Sequence, residues 1–201
     1  ANQEFGLVNY PSKLLSLFLL VGLIASCGSS SNNSIAGIVT PSTAVDDSFQ
    51  ALGNAILRVT EAEGVRANDL HSGASVVSFD SVGSSGGSVA MNPDGSFEYT
   101  PPAGFRGTDT FSYTLGNGAG GSSATVTVAI DSLGYFVDNT AGPNGDGSLA
   151  SPFNSLSRAM AVPPVAGDLV FVFRGDGTNN GLSGAVNLPE GVSLVGEGLG
   201  L

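Results

Sequence analysis

The chain offers one thiol and one imidazole for nucleophilic or acid–base chemistry. Cys27 is the only cysteine and His71 the only histidine among 201 residues. A single cysteine excludes a disulfide within this sequence and a metal site built from several cysteines. Catalysis by histidine needs suitably arranged partners, and His71 lies in a Ser/Gly-rich stretch without a neighbouring cysteine or acidic pair. We predict a solvated loop histidine, and no catalytic constellation is evident.

The surroundings of Cys27 indicate a different chemistry. Residues 14–26 follow Lys13, carry no charge and end in small residues. A membrane-spanning helix needs about 20 apolar residues, so this run is too short to cross a bilayer. A basic residue, a short apolar run and small residues are typical of a secretory signal peptide. The alternative is a buried core helix. Such a helix should have one polar and one apolar face, and residues 14–26 do not separate into two such faces.

Ile24-Ala25-Ser26-Cys27 resembles the lipobox of bacterial lipoproteins. The resemblance implies that residues 1–26 are a signal peptide, that the chain is cut before Cys27, and that its thiol and new amino terminus are acylated. Several acyl chains anchor a protein firmly, because each buried CH₂ adds about 0.8 kcal/mol. With Gly28 after the cysteine, the resemblance also implies sorting to an outer membrane where one exists. The membrane is therefore the first expected partner, and residues 27–43, rich in small polar residues, are predicted to form a flexible tether.

The overall composition favours an all-β protein. Only 11% of residues are charged, 30 are glycine, and the net charge is −11. Valine, isoleucine, threonine and aromatic residues occur in short runs separated by turn residues, which is typical of short strands. Six dispersed basic residues cannot form the cationic surface that nucleic acids require, so nucleic acid is excluded as a partner.

Residues 44–131 show repeated strand signals. Asn92-Pro93-Asp94-Gly95 separates two alternating runs, and this turn chemistry predicts a hairpin. Apolar residues alternate with polar ones in further runs, so each run should be a half-buried antiparallel strand. About seven such strands predict a β-sandwich. The residues predicted to face its core include Val89, Met91, Phe97, Tyr99, Phe111, Tyr113, Leu115, Val126, Val128 and Ile130.

The order of these features resembles cadherin-like and bacterial Ig-like domains of surface proteins. The resemblance lies in VDDSFQ (45–50), EGVRANDL (63–70), GSVAMNPDGSFEYTPPAGFRGTDTFSYTLGN (87–117) and SATVTVAI (123–130). It implies calcium as a cofactor, held by acidic residues at the domain ends. The alternative is that Asp47 and Asp69 cap turns and that Asp109 bonds backbone in a loop. The residues at matching places are Asp46, Asp47, Asn68, Asp69 and Asp109.

The pattern changes in residues 134–201. Residues 151–160 are predicted to form a short helix that ends before Pro163. Residues 169–173 are apolar without alternation, which is typical of a strand in a parallel sheet. The stretches YFVDN, GDGSLASPFNSLSRAM, AGDLVFVFRGDGT and LPEGVSLVGEG resemble the start of right-handed parallel β-helix proteins. The resemblance implies an N-terminal cap followed by the first coils of a solenoid that the sequence truncates.

Three functions are compatible with this organisation. The first is a membrane-anchored surface lipoprotein that serves as a structural or adhesive module, with glycans or surface proteins as further partners. The second is the N-terminal fragment of a β-helix polysaccharide lyase or hydrolase, whose catalytic coils would follow. The third is a calcium-dependent spacer domain. The first needs no catalytic residues and is the one that we expect.

Overall fold

The computed structural model describes residues 40–71, 73–183 and 186–197. The prediction of a mostly β chain is confirmed, with one α-helix in these ranges, α1 at Leu156–Ala161. The predicted signal peptide and Cys27 lie outside the described residues, as does most of the predicted tether. The strands are β1 Asp47–Gly53, β2 Leu57–Val59, β3 Ser75–Phe79, β4 Ser88–Met91, β5 Phe97–Thr100, β6 Gly107–Asn117, β7 Gly120–Val137, β8 Leu169–Val172 and β9 Ser193–Gly196.

Two sheets face each other in the first part of the fold. The larger sheet has the order β3-β6-β7-β8-β9, with β1 also paired to β7, and the smaller sheet has the order β2-β5-β4. Aromatic rings join the two sheets: Phe97 of β5 meets Phe49 of β1 at 5.1 Å between centroids and Phe111 of β6 at 5.7 Å, both edge to face. These edge-to-face contacts suit the ring quadrupoles and fill the space between the sheets.

Alternation of residue type builds this core. The residues predicted to face inward on β4, β5, β6 and β7 are all buried, and their neighbours in sequence are mostly exposed or half-buried. The hairpin prediction is also confirmed, because β4 and β5 pair antiparallel around the turn at 92–95. Gly95 has a φ of +86° there, which a residue with a side chain rarely adopts.

Strand β7 runs from the first part of the fold into the second without a break. It pairs antiparallel with β6 and parallel with β1, and its last residues, 134–137, pair parallel with β8. Strand β9 then pairs parallel with β8. The predicted domain limits at 131 and 134 both fall within β7. No linker therefore separates the two parts of the fold.

The helix is shorter than its sequence predicts. Helix α1 begins at Leu156, because Phe153 adopts an extended conformation and exchanges backbone hydrogen bonds with Phe136 and Asp138. In the described ranges, no helix combines the length and the apolar character that crossing a bilayer requires.

Candidate functional site

The first polar cluster surrounds the hydroxyl of Tyr113 on β6. This ring is buried, and its hydroxyl donates to Oδ2 of Asp69 at 2.8 Å. The carbonyl oxygens of Val65 and Val45 lie 3.1 Å and 3.3 Å from the same hydroxyl. Oδ1 of Asp69 accepts the amide of Val45 at 2.7 Å. We call this group the Tyr113 cluster. It joins the residues before β1 and the 3-10 helix Val65–Ala67 to the middle of β6.

Four of the five residues in the predicted calcium set meet at this cluster. Asn68 donates its side-chain amide to the carbonyl of Asp46 at 3.2 Å, and Oδ1 of Asp46 accepts the amide of Thr125 at 2.8 Å. Asp47 is close enough to Tyr113 to interact electrostatically with its hydroxyl. The fifth residue, Asp109, lies elsewhere. It is four residues from Tyr113 on the same strand, a separation of about 13 Å at about 3.3 Å per residue.

Burial controls the protonation of this cluster. Burial raises the pKa of Asp69, and the hydrogen bonds from Val45 and Tyr113 oppose that rise. Burial also raises the pKa of Tyr113, and the negative charges of Asp47 and Asp69 raise it further. Tyr113 therefore stays protonated and serves as a hydrogen-bond donor.

The cluster has the chemistry that calcium prefers but not a complete set of ligands. Calcium takes about six to eight oxygen atoms. Both carboxylate oxygens of Asp69 and Oδ1 of Asp46 already accept protein donors. No three Asp, Glu, His or Cys side chains converge as a metal site in the part of the chain that the structure describes. Calcium binding at the Tyr113 cluster stays a prediction.

The second cluster is centred on Asp109, which is completely buried. Oδ1 accepts the hydroxyl of Ser84 and the amides of Ser85 and Thr110. Oδ2 accepts the amide of Gly87 at 3.0 Å and the hydroxyl of Tyr99 at 2.8 Å. One carboxylate thus holds the 83–87 loop, β5 and its own strand together. We call this group the Asp109 cluster.

The glycines of the loop allow this close approach. A β-carbon at Gly83 would overlap the Asp109 carboxylate, and one at Gly87 would overlap the Tyr99 ring as well. Burial alone would raise the pKa of Asp109, but the hydrogen bonds that it accepts from Ser85, Tyr99 and Gly87 lower it below its usual value. Asp109 therefore favours its charged form and binds the backbone of the 83–87 loop. Whether it also binds calcium stays a prediction.

A third cluster joins the two parts of the fold, and we call it the junction cluster. Asp168 is buried before β8 and forms an ion pair of 2.6 Å with Nη2 of Arg106. It also accepts the amides of Leu133 at 2.9 Å and Val165 at 2.8 Å. Nη1 of Arg106 donates to the carbonyl of Asp131 at 3.0 Å. Arg106 precedes β6, so the ion pair links the first part of the fold to the second.

Asn54 completes the junction cluster. It is buried and has a φ of 65°, a conformation that asparagine tolerates better than most residues. Its side chain accepts the amide of Gly104 at 2.6 Å and donates to the carbonyl of Gly134 at 2.9 Å. Its own carbonyl accepts the amide of Leu149 at 2.8 Å. One residue thus bonds to three separate segments.

The charges of the junction cluster depend on one another. Burial alone would raise the pKa of Asp168, but Arg106 and the amides of Leu133 and Val165 lower it. The hydrogen bond to Asp168 raises the pKa of Arg106. The two side chains therefore favour the charged form of each other, and each compensates the burial of the other.

His71 is exposed, as its sequence environment predicts. Its Nδ1 lies 3.3 Å from Nη2 of Arg66, at the edge of an open cavity of about 350 Å³. Glu61 and Asp94 also line this cavity, so it presents charges of both signs to solvent. His71 therefore has a cation, Arg66, as its hydrogen-bonding neighbour at this cavity.

Sequence reasoning missed the junction cluster. Asp168 directly precedes an unbroken apolar strand, and charged residues are scarce in this chain. If such an aspartate is buried with the strand, its carboxylate needs a cation or several donors. That signal could have led to Asp168, but nothing in the spacing identifies Arg106, which lies 62 residues away in sequence, as its partner.

Comparison with known proteins agrees with the first part of this description. The family model of the bacterial cadherin-like domain matches residues 40–134. No curated protein is significantly similar to the chain. Among solved structures, the sialyltransferase from Photobacterium damsela is similar at 15% identity and a TM-score of 0.27. The alignment covers 78% of this chain and 31% of that one. Residues 40–134 are therefore similar to the bacterial cadherin-like domain, as their sequence predicts.

Proposed function

We propose that the protein is a membrane-anchored surface lipoprotein whose cadherin-like part is a structural or adhesive module. The observation that carries this proposal is the match of residues 40–134 to the bacterial cadherin-like domain. The matched range begins thirteen positions after Cys27, the predicted lipidation site. In this reading, the β-sandwich is held off the membrane by the tether, and the parallel strands after it begin a β-helix.

The described clusters support a structural role. The hydroxyls of Tyr113 and Tyr99 each donate to a carboxylate within the fold, and the Asp168 carboxylate is paired with Arg106. Such contacts hold loops and strands in place. Partners of an adhesive surface would be glycans or surface proteins bound to the exposed faces of the sheets.

The anchor is the part of the proposal that fixes location. Acylation of Cys27 would attach the protein to the cell envelope, and Gly28 would direct it to the outer membrane. Cys27→Ser removes the thiol that receives the lipid and keeps a side chain of similar size. We expect the unchanged protein to fractionate with outer membranes and to need detergent for its release. The Cys27→Ser variant should keep its signal peptide or be found in the soluble fraction.

A matched variant separates loss of the anchor from loss of the fold. Gly118→Ala changes an exposed position at which a β-carbon meets no other atom, so it should fractionate like the unchanged protein. Outer-membrane association of Cys27→Ser equal to that of Gly118→Ala, with residues 1–26 removed, would contradict the lipid anchor. Protease added to intact cells then tests exposure, because a surface protein is cleaved without lysis.

A calcium-dependent spacer is the second candidate, and one observation favours it. Two carbonyl oxygens, one carboxylate oxygen of Asp69 and the charge of Asp47 all face a single hydroxyl at Tyr113. One proton cannot satisfy all of these acceptors equally, and a divalent cation would compensate the excess negative charge. If this candidate holds, millimolar calcium raises the melting temperature, and Asp69→Asn reduces the rise. A melting temperature that is the same in calcium and in chelator would leave the cluster with its hydrogen-bonding role.

A further inference from the structure

We propose that the fold is built to resist tension between its anchored end and its far end, and that the pairing of β1 with β7 carries most of this resistance. The inference rests on the proposed function, because a protein tethered through Cys27 and bound at its far end would be pulled along its chain. The observations that carry it are the directions of the strands that join the two ends.

The direction of a strand pair determines how it responds to force. Strand β1 leaves the anchored side at Asp47, and β7 leads away from it towards the second part of the fold. They are parallel, with Asp47 opposite Val126 and Gly53 opposite Leu133. Tension therefore pulls β1 towards its start and β7 towards its end, along the strands and in opposite directions. The hydrogen bonds between them are then loaded together, whereas strands pulled from one shared end separate one bond at a time.

The same geometry continues beyond β7. Strand β7 pairs parallel with β8 from Gly134 to Val137, and β8 pairs parallel with β9 from Leu169 to Val172. A force that enters at β1 and leaves at β9 thus crosses three strand pairs, all of them parallel. The antiparallel pairs, such as β4 with β5, lie outside this path.

Side chains extend the β1–β7 pair at its start. Before β1, the amide of Ala44 donates to the hydroxyl of Ser122 at 3.0 Å, and Oδ1 of Asp46 accepts the amide of Thr125 at 2.8 Å. These bonds continue the contact past the first paired residues. They therefore oppose fraying at the end where the tether pulls.

The junction cluster closes the other end of the β1–β7 pair. Asn54 follows β1 directly and bonds the carbonyl of Gly134 on β7. Asp168 accepts the amide of Leu133 and is paired with Arg106. Force that reaches the end of β7 is therefore shared by the second part of the fold instead of being concentrated at one strand end.

Single-molecule force spectroscopy with two pulling directions tests this inference. The full chain is made by cell-free synthesis without membranes, so the thiol of Cys27 stays free and serves as the first handle. The second handle is either Gly142→Cys, after the end of β7, or Gly118→Cys, in the turn before its start. Both glycines have room for a β-carbon and an ordinary φ, so neither change should strain the fold. Pro143 and Ala119 are exposed neighbours that provide alternative handles in the same loops.

The two directions load the same strand pair differently. Pulling between Cys27 and residue 142 shears β1 against β7, and pulling between Cys27 and residue 118 peels them apart from one end. We expect a several-fold higher unfolding force for the first direction at equal loading rate and equal melting temperature. Equal forces in the two directions, or a higher force for the peeling direction, would overturn the inference. The proposed lipid anchor is not tested here, because the thiol is unmodified in both variants.

Discussion

Replacing Asp109 with asparagine should destabilise the protein strongly, because its carboxylate is completely buried and accepts five hydrogen bonds. The substitution keeps the shape of the side chain and replaces one carboxylate oxygen by an NH₂ group. Oδ1 has three protein donors and Oδ2 has two. Asparagine should therefore place its oxygen at the Oδ1 position and its NH₂ group towards Gly87 and Tyr99.

The magnitude follows from what each donor loses. The three bonds at the Oδ1 position lose the assistance of the negative charge, because hydrogen bonds to charged groups contribute about 1.5–3 kcal/mol and neutral ones about 0.5–1.5 kcal/mol. The Tyr99 hydroxyl can rotate and accept from the new NH₂ group. The amide of Gly87 has no such freedom and stays buried without an acceptor. We expect a loss of about 3–5 kcal/mol in the free energy of unfolding.

Urea unfolding monitored by tyrosine fluorescence measures this loss as a shift of the midpoint at constant slope. Tyr99→Phe removes one donor and leaves the carboxylate four others, so we expect a smaller loss of about 1–2 kcal/mol. Asp131→Asn is the matched control on an exposed carboxylate and should change stability by less than about 0.5 kcal/mol. A loss for Asp109→Asn no greater than that of Tyr99→Phe would refute the reasoning.

The pH dependence gives a second readout of the same carboxylate. Hydrogen bonds hold the pKa of Asp109 below its usual range, so its stabilising charge is fully present above the ordinary carboxyl pKa. That contribution disappears as the pH falls through the lower pKa of the folded state. The difference in stability between the unchanged protein and Asp109→Asn should therefore narrow on acidification. A difference that is constant from neutral to strongly acidic pH would contradict a charged Asp109.

Three further changes test the other clusters. Gly87→Ala should destabilise the fold by about 1–3 kcal/mol through overlap with the Asp109 cluster, whereas Gly118→Ala should have little effect in the same urea unfolding experiment. Asp168→Ala should speed hydrogen exchange at the amide of Leu133, measured by mass spectrometry; unchanged protection there would argue against the junction cluster. Burial raises the pKa of Asp69, so the charge of Asp69 lowers the stability of the fold as the pH rises through that raised pKa. The stability of Asp69→Asn relative to the unchanged protein should therefore be higher at neutral pH than in acid.

Local patterns in the sequence predicted most of the strands correctly. Alternation placed Phe111, Tyr113 and Leu115 in the core, and the turn chemistry of residues 92–95 identified the hairpin. These features depend on residues near one another in the chain, where backbone preference and side-chain period act together. The apolar run at 169–173 likewise predicted a strand in a parallel sheet, which the pairing of β8 with β7 and β9 confirms.

Contacts between distant residues could not be predicted in this way. Strand β1 was not recognised, because its partner β7 lies 79 positions away where Asp47 meets Val126, and its own residues alternate weakly. Asp109 was grouped with four residues that resemble calcium ligands in sequence, whereas the fold surrounds it with loop amides. Which donors reach a carboxylate depends on how loops approach it in three dimensions. The requirement for glycine at positions 83 and 87 follows from the close approach of this loop to Asp109 and cannot be seen in the sequence.

The most direct test of the proposed lipoprotein is mass spectrometry of the protein isolated from its native cell. We expect the mature chain to begin at Cys27, with acyl groups on its sulfur and on its amino terminus. Treatment with strong base should remove the ester-linked chains and lower the mass accordingly. An unmodified sulfur at Cys27 with residues 1–26 still attached would contradict the anchor, the location and the role that depends on them.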